Sequence, residues 1–162
     1  MSIFTIYAEK ISYSSADIIA LFDQAKGWEM KYRQLMLLGK QLPELAEEYK
    51  DDRYLVKGCE SQLWLHHHLD EVRDEVQDDE QLSQQPSQQI GEQRHHFAFD
   101  SDARIIKGLV IIILAAFNQL TSEQIRQFDI EAYFAELDLL KHLSPSRSNG
   151  VYAVLRAVKG LV

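Results

Sequence analysis

The sequence predicts an α+β fold: a small three-stranded antiparallel sheet covered by several amphipathic helices. Apolar residues recur at helical spacing toward both ends of the chain, and the period changes to two between Leu55 and Asp100. The composition sets the scale. With 162 residues, 46% hydrophobic and 26% charged, the chain is expected to form one domain, residues 1–162, around one real core.

The elements follow in order. Ser14 and Asp17 form a capping signal, and Ile18, Leu21, Phe22 and Ala25 fall at i, i+3, i+4 and i+7. Gly27 interrupts; Trp28, Tyr32, Leu35 and Met36 lay a second stripe, with Gly39 placed as a C-terminal cap. Pro43 opens a further short turn through Leu45 and Tyr49, since its fixed φ suits a first helical position. Leu63, Leu65 and Leu69 then alternate with Trp64, His66 and His68 as in a half-buried strand. Val72 with Val76 suggests a second strand and Phe97 with Phe99 a third, joined as a meander. Between the last two, a polar mobile loop is expected at about 78–93, where Gln and Ser are abundant around Pro86 and Gly91.

Asp100-Ser101-Asp102 is an N-cap cluster for a helix from Ala103 to Gln119, whose apolar middle implies burial on most sides. Ile130, Tyr133, Phe134 and Leu137 mark another helix, and Val151, Val154, Leu155 and Val158 the last. The longest apolar run, Leu109 to Phe117, is about half the ~20 residues of a membrane span, and no targeting segment is evident. A cytoplasmic protein with no membrane contact is expected.

Charge and motifs exclude several functions. Seventeen basic against 25 acidic residues give a net charge of −8, repulsive to nucleic acid. The charge is polarised: Asp70 to Glu80 is strongly acidic, whereas the stretch from Lys141 onward has Lys141, Arg147, Arg156 and Lys159 with no acid. That pattern suits either an oriented protein partner or simply solvated faces. No glycine-rich phosphate loop occurs, and no aromatic platform interleaved with cations. His66, His67 and His68 are consecutive, so strand geometry splits them between two faces, against a shared metal ion. No metal site or bound cofactor is expected.

Two constellations could carry chemistry. Cys59, the single cysteine, lies in Val56-Lys57-Gly58-Cys59-Glu60-Ser61-Gln62, beside a glycine that permits a tight loop. One thiol excludes an internal disulfide and any cluster site needing several thiolates. A free cysteine is commonly a buried, inert side chain, but a loop position makes this one a candidate nucleophile. Lys57 favours the thiolate and Glu60 opposes it, leaving the sign of any pKa shift open. In Leu143-Ser144-Pro145-Ser146-Arg147-Ser148-Asn149-Gly150, Ser144 and Pro145 suit a helix start, but Arg147 there opposes the helix dipole. It either adds to an anion-attracting site or reaches a surface acid.

These segments, with Trp28-Glu29-Met30-Lys31-Tyr32, Leu38-Gly39-Lys40-Gln41-Leu42-Pro43, Leu63-Trp64 and Asp100 through Leu109, resemble in order the SufE-type sulfur acceptors of iron–sulfur cluster assembly, including the related CsdE proteins. The resemblance implies an α+β fold and a carrier. The carrier takes persulfide sulfur from a pyridoxal-phosphate cysteine desulfurase, SufS- or CsdA-like, onto the residue matching Cys59, stimulates that enzyme, and passes sulfur on to an iron–sulfur scaffold or another acceptor. The pyridoxal phosphate belongs to the partner. Arg147, and beside it Lys57, is expected to stabilise the anionic sulfur. The scaffolds of the same pathways use several cysteines, and this chain has one. Two departures stand out: the segment Gln81–Gln93 is longer than the family's hairpin, and Glu60 replaces a Gln of many members, although the CsdE-like branch can carry Glu. Two other classes compete: a thiol-dependent enzyme using Cys59 on a small substrate, and a non-catalytic adaptor.

Overall fold

The computed structural model describes residues 1–71 and 92–162. Among these, the helices are α1 (Ile3–Lys10), α2 (Ser15–Asp23), α3 (Gly27–Gly39), α4 (Arg104–Phe117), α5 (Ser122–Gln127), α6 (Ile130–Leu137) and α7 (Pro145–Leu161). The strands are β1 (Leu63–Leu69), β2 (Arg94–Ser101) and β3 (Leu120–Thr121), in sheet order β1-β2-β3 and antiparallel throughout. The fold is α+β. The sheet is not the expected meander: β1 pairs directly with β2 from Leu63↔Ser101 to Leu69↔His95, and the third strand is Leu120–Thr121, reached through α4. The stretch from Val72 to Val76 lies outside the described residues, as do the acidic segment beyond Glu71 and most of the Gln-rich loop.

Ser14 caps α2 as its sequence indicates, accepting from the Asp17 N–H at 3.1 Å while Asp17 accepts from the Ser14 N–H at 2.9 Å. The stripes on α6 and α7 are buried at every position anticipated for them. α1 and α5 are not among the expected elements. α1 is short, and it is fixed by tertiary contacts: Tyr7 is buried, and its hydroxyl lies 2.6 Å from the Phe99 carbonyl and 2.7 Å from that of Pro43. Burial raises the Tyr7 pKa, so it remains a neutral donor. The Pro43 region opens no helix; a 3-10 turn forms later, at Glu47–Tyr49.

The strand alternation is only half realised. Leu63 and Trp64 are both buried although they face opposite sides, whereas Leu69 is 37% exposed. β1 starts between two covered faces and runs out of the core, so burial follows position along the strand. His66 is buried too, 2.8 Å from the Tyr49 carbonyl and packed on the Tyr54 ring.

Asp100-Ser101-Asp102 does not cap α4, whose N-cap is Ala103 without a side-chain bond. Asp100, 1% exposed, instead accepts from the Leu45 N–H at 2.9 Å and from the Ser101 N–H at 2.8 Å. Lys50 and Lys107 stand 3.8 and 3.7 Å from its carboxylate, supplying the charge a buried carboxylate requires. Asp102 accepts from the Gln62 N–H at 3.1 Å and Ser101 Oγ donates to the Gln62 carbonyl at 2.6 Å, tying the segment after Cys59 to the start of α4.

α4 is the central helix, buried on nearly every side. α3 crosses it where two glycines meet: a Cβ on Gly108 would stand 2.3 Å from the Leu35 carbonyl oxygen, and one on Gly39 2.7 Å from that of Arg104. Gly39 is therefore the last residue of α3 and a packing contact, not the expected cap; Lys40, the C-cap, has right-handed φ and ψ.

Candidate functional site

Cys59 sits on the turn between Val56 and β1. Gly58 has φ of 94°, which side chains other than glycine rarely tolerate, and this turns the chain toward α7. The thiol is half-buried against α7: a Cβ on Gly150 would stand 3.1 Å from Cys59 Sγ and 3.5 Å from Ile106 Cδ1. Gly150 thus gives the sulfur room to reach the helix surface. A glycine in a helix interior costs about 1 kcal/mol relative to alanine, so its position in a predicted helix could have marked it.

Cys59 opens into a cleft of about 350 Å³ lined by Glu60, Ser61, Ala103, Ile106, Ser144, Ser146 and Arg147. The cleft thus joins the two constellations of the sequence: the cysteine loop and the start of α7. Ser144 is the N-cap position and Pro145 opens the helix, but the Ser144 hydroxyl makes no capping bond and stands 3.4 Å from Ser146 Oγ. Arg147 is exposed, and among the described residues it has no ion-pair partner. Lys57 lies away from this cleft, in a groove on the far side of Gly58 from Cys59 in the chain.

The open question of the thiol's charge resolves toward the neutral form. Burial pushes the Cys59 pKa up, the Ser61 backbone N–H pulls it down, and the carboxylates of Asp102 and Glu60 add to the rise. The resting group is a thiol, not a thiolate.

The histidines gather elsewhere. His67 Nε2 lies 2.7 Å from His95 Nδ1, whose Nε2 is 2.6 Å from Ser122 Oγ, while His68 stacks on Phe4. No histidine lines the Cys59 cleft. Among the described residues, no three His, Cys, Asp or Glu side chains are placed to hold a metal ion. No helix of the described residues is long and apolar enough to cross a membrane.

One comparison with known families decides the relationship. The family model described as SufE, Fe-S metabolism associated domain, matches residues 16–162. The chain belongs to the SufE family. A role in iron–sulfur metabolism follows from SufE membership. The match begins in α2 and includes the Cys59 turn, α4 and the whole of α7, and so every residue lining the cleft.

Proposed function

We propose that this SufE-family chain is a sulfur carrier: Cys59 takes the persulfide sulfur of a cysteine desulfurase, SufS- or CsdA-like, stimulates that enzyme, and hands the sulfur to an iron–sulfur scaffold or another acceptor. One observation carries the reading. The chain's single thiol shares a cleft with the first turn of α7 and with Arg147, which has no ion-pair partner among the described residues.

The step balances without an added redox reagent. The Cys59 sulfur attacks the terminal sulfur of the donor persulfide, a new S–S bond forms, and the old one breaks with its electron pair on the donor sulfur. Cys59 begins protonated, so its proton ends on the departing donor thiolate. The product is a Cys59 persulfide, more acidic than the thiol and anionic at neutral pH. Arg147 and the hydroxyls of Ser144 and Ser146 then face an anion, and the dipole of α7 adds to them. Resting burial protects the thiol from adventitious oxidants, at the cost of a low thiolate fraction until a donor arrives.

Desulfurase turnover tests this. With cysteine as substrate, alanine production is expected to rise on adding the wild-type chain and not on adding Cys59→Ser. Equal stimulation by both proteins would leave an adaptor and remove the carrier.

A further inference from the structure

Beside the cysteine turn runs a second cavity, a groove of about 620 Å³ between the segment Arg53–Lys57 and α7. It shares no lining residue with the Cys59 cleft: Lys57 lines the groove, Cys59 lines the cleft, and Gly58 stands between them. Gly58 is also where the groove meets the loop, since a Cβ there would stand 3.4 Å from both Ala153 Cβ and Arg156 Nη2.

The walls define an occupant. The inner surface is mostly apolar, including buried Val56 and Ala153 and the partly buried Leu65 and Ala157, with the His67 ring beside them, and it ends at Leu161, a 41% exposed leucine. Among the described residues no carboxylate lines the groove, although the chain carries a net charge of −8. Arg53 is held by Asp51 at 3.2 Å, but Lys57 and Arg156 have no ion-pair partner among the described residues. An apolar floor under two uncommitted cations fits a segment in which acidic and apolar side chains alternate.

We propose that this groove docks an acidic, apolar segment of the protein that delivers sulfur, and that an occupant bearing on Lys57 and Arg156 is thereby seated against the Gly58 turn that carries Cys59. The proposal rests on the carrier reading above. It separates recognition, in the groove, from chemistry, in the cleft: groove residues set how much protein is needed, and cleft residues set how fast sulfur moves once docked.

The test uses the full chain with a cysteine desulfurase, pyridoxal phosphate and cysteine, reading sulfur loaded on Cys59 against protein concentration. In the charge-reversed Lys57→Glu/Arg156→Glu, half-saturation is expected to rise about tenfold, with loading still completed at high concentration. Raising salt should weaken the wild type toward the variant. Both changes are on exposed side chains, and a retained melting temperature confirms the fold. Wild-type loading with unchanged half-saturation in the variant overturns the groove and leaves the carrier standing. A variant that binds more tightly also overturns it, because the cations would then be holding an acidic element of this chain. No loading of the wild type by either desulfurase type overturns the carrier reading itself, and the groove's assignment with it.

Discussion

Two pairs of glycines bring chain segments into close approach in this protein, and they serve opposite ends. At the crossing of α3 and α4, Gly39 and Gly108 face backbone carbonyls, so nothing there can yield. At the cysteine turn, Gly58 and Gly150 face the ends of side chains: Arg156 and Ala153 in one case, Cys59 Sγ in the other. The first pair fixes the core; the second leaves a sulfur seated but free to move by rotating a side chain. Glycine marks a close approach in both, and what it approaches decides whether the contact is scaffold or mechanism.

The largest effect is expected at the rigid crossing. Gly108→Ala puts a carbon 2.3 Å from the Leu35 carbonyl oxygen and should lower stability by about 3 kcal/mol or prevent folding, as read by denaturant unfolding. Gly150→Ala should behave differently. Its new carbon is crowded by the Cys59 sulfur at 3.1 Å and meets Ile106 Cδ1 only at an ordinary contact distance of 3.5 Å, and alanine regains helix propensity of about 1 kcal/mol. Stability should change little while the displaced thiol reacts severalfold faster with a small alkylating reagent. Equal destabilisation by both substitutions would break the comparison.

A smaller effect is expected at the cleft. Arg147→Ala should slow sulfur transfer about tenfold with no change in melting temperature, through loss of charge beside the anionic sulfur. An unchanged rate removes Arg147 from the mechanism. In the wild type, the raised Cys59 pKa means that alkylation should keep accelerating beyond the pH at which an exposed cysteine levels off.

The smallest effect concerns the sheet, far in role from both glycine pairs. Burial and neighbouring cations lower the pKa values of His67 and His95, which lie in a chain ending at Ser122. A depressed pKa means the unfolded chain binds protons first, so stability is intact above the ordinary histidine pKa and falls as pH drops below it. His68, His96 and Arg126 add to the depression, with Asp70 opposing it at His95. Melting temperature should therefore decline by a few degrees on mild acidification, and less so in His95→Asn.

The helices with long apolar stripes were legible because burial follows their period, as in α6 and α7. Strands were less so. β3 is two residues long, too short for any alternation to register, and β1 changes burial along its length instead of across it. Asp100 misled for a chemical reason: a carboxylate before a helix suits an N-cap, but here it is drawn into the interior by two lysines and two backbone N–H groups. Cys59 and Arg147 were visible as loop cysteine and misplaced cation. Their meeting in one cleft, and the part Gly150 has in seating the sulfur, depend on contacts between residues some ninety positions apart, which no local pattern records.

The most direct test is the intact mass of the protein after incubation with a cysteine desulfurase, pyridoxal phosphate and cysteine, alkylated without reductant. The carrier reading predicts added mass of one or more sulfur atoms on the wild type and none on Cys59→Ser. A wild-type chain that gains no sulfur from either a SufS-like or a CsdA-like desulfurase would contradict it.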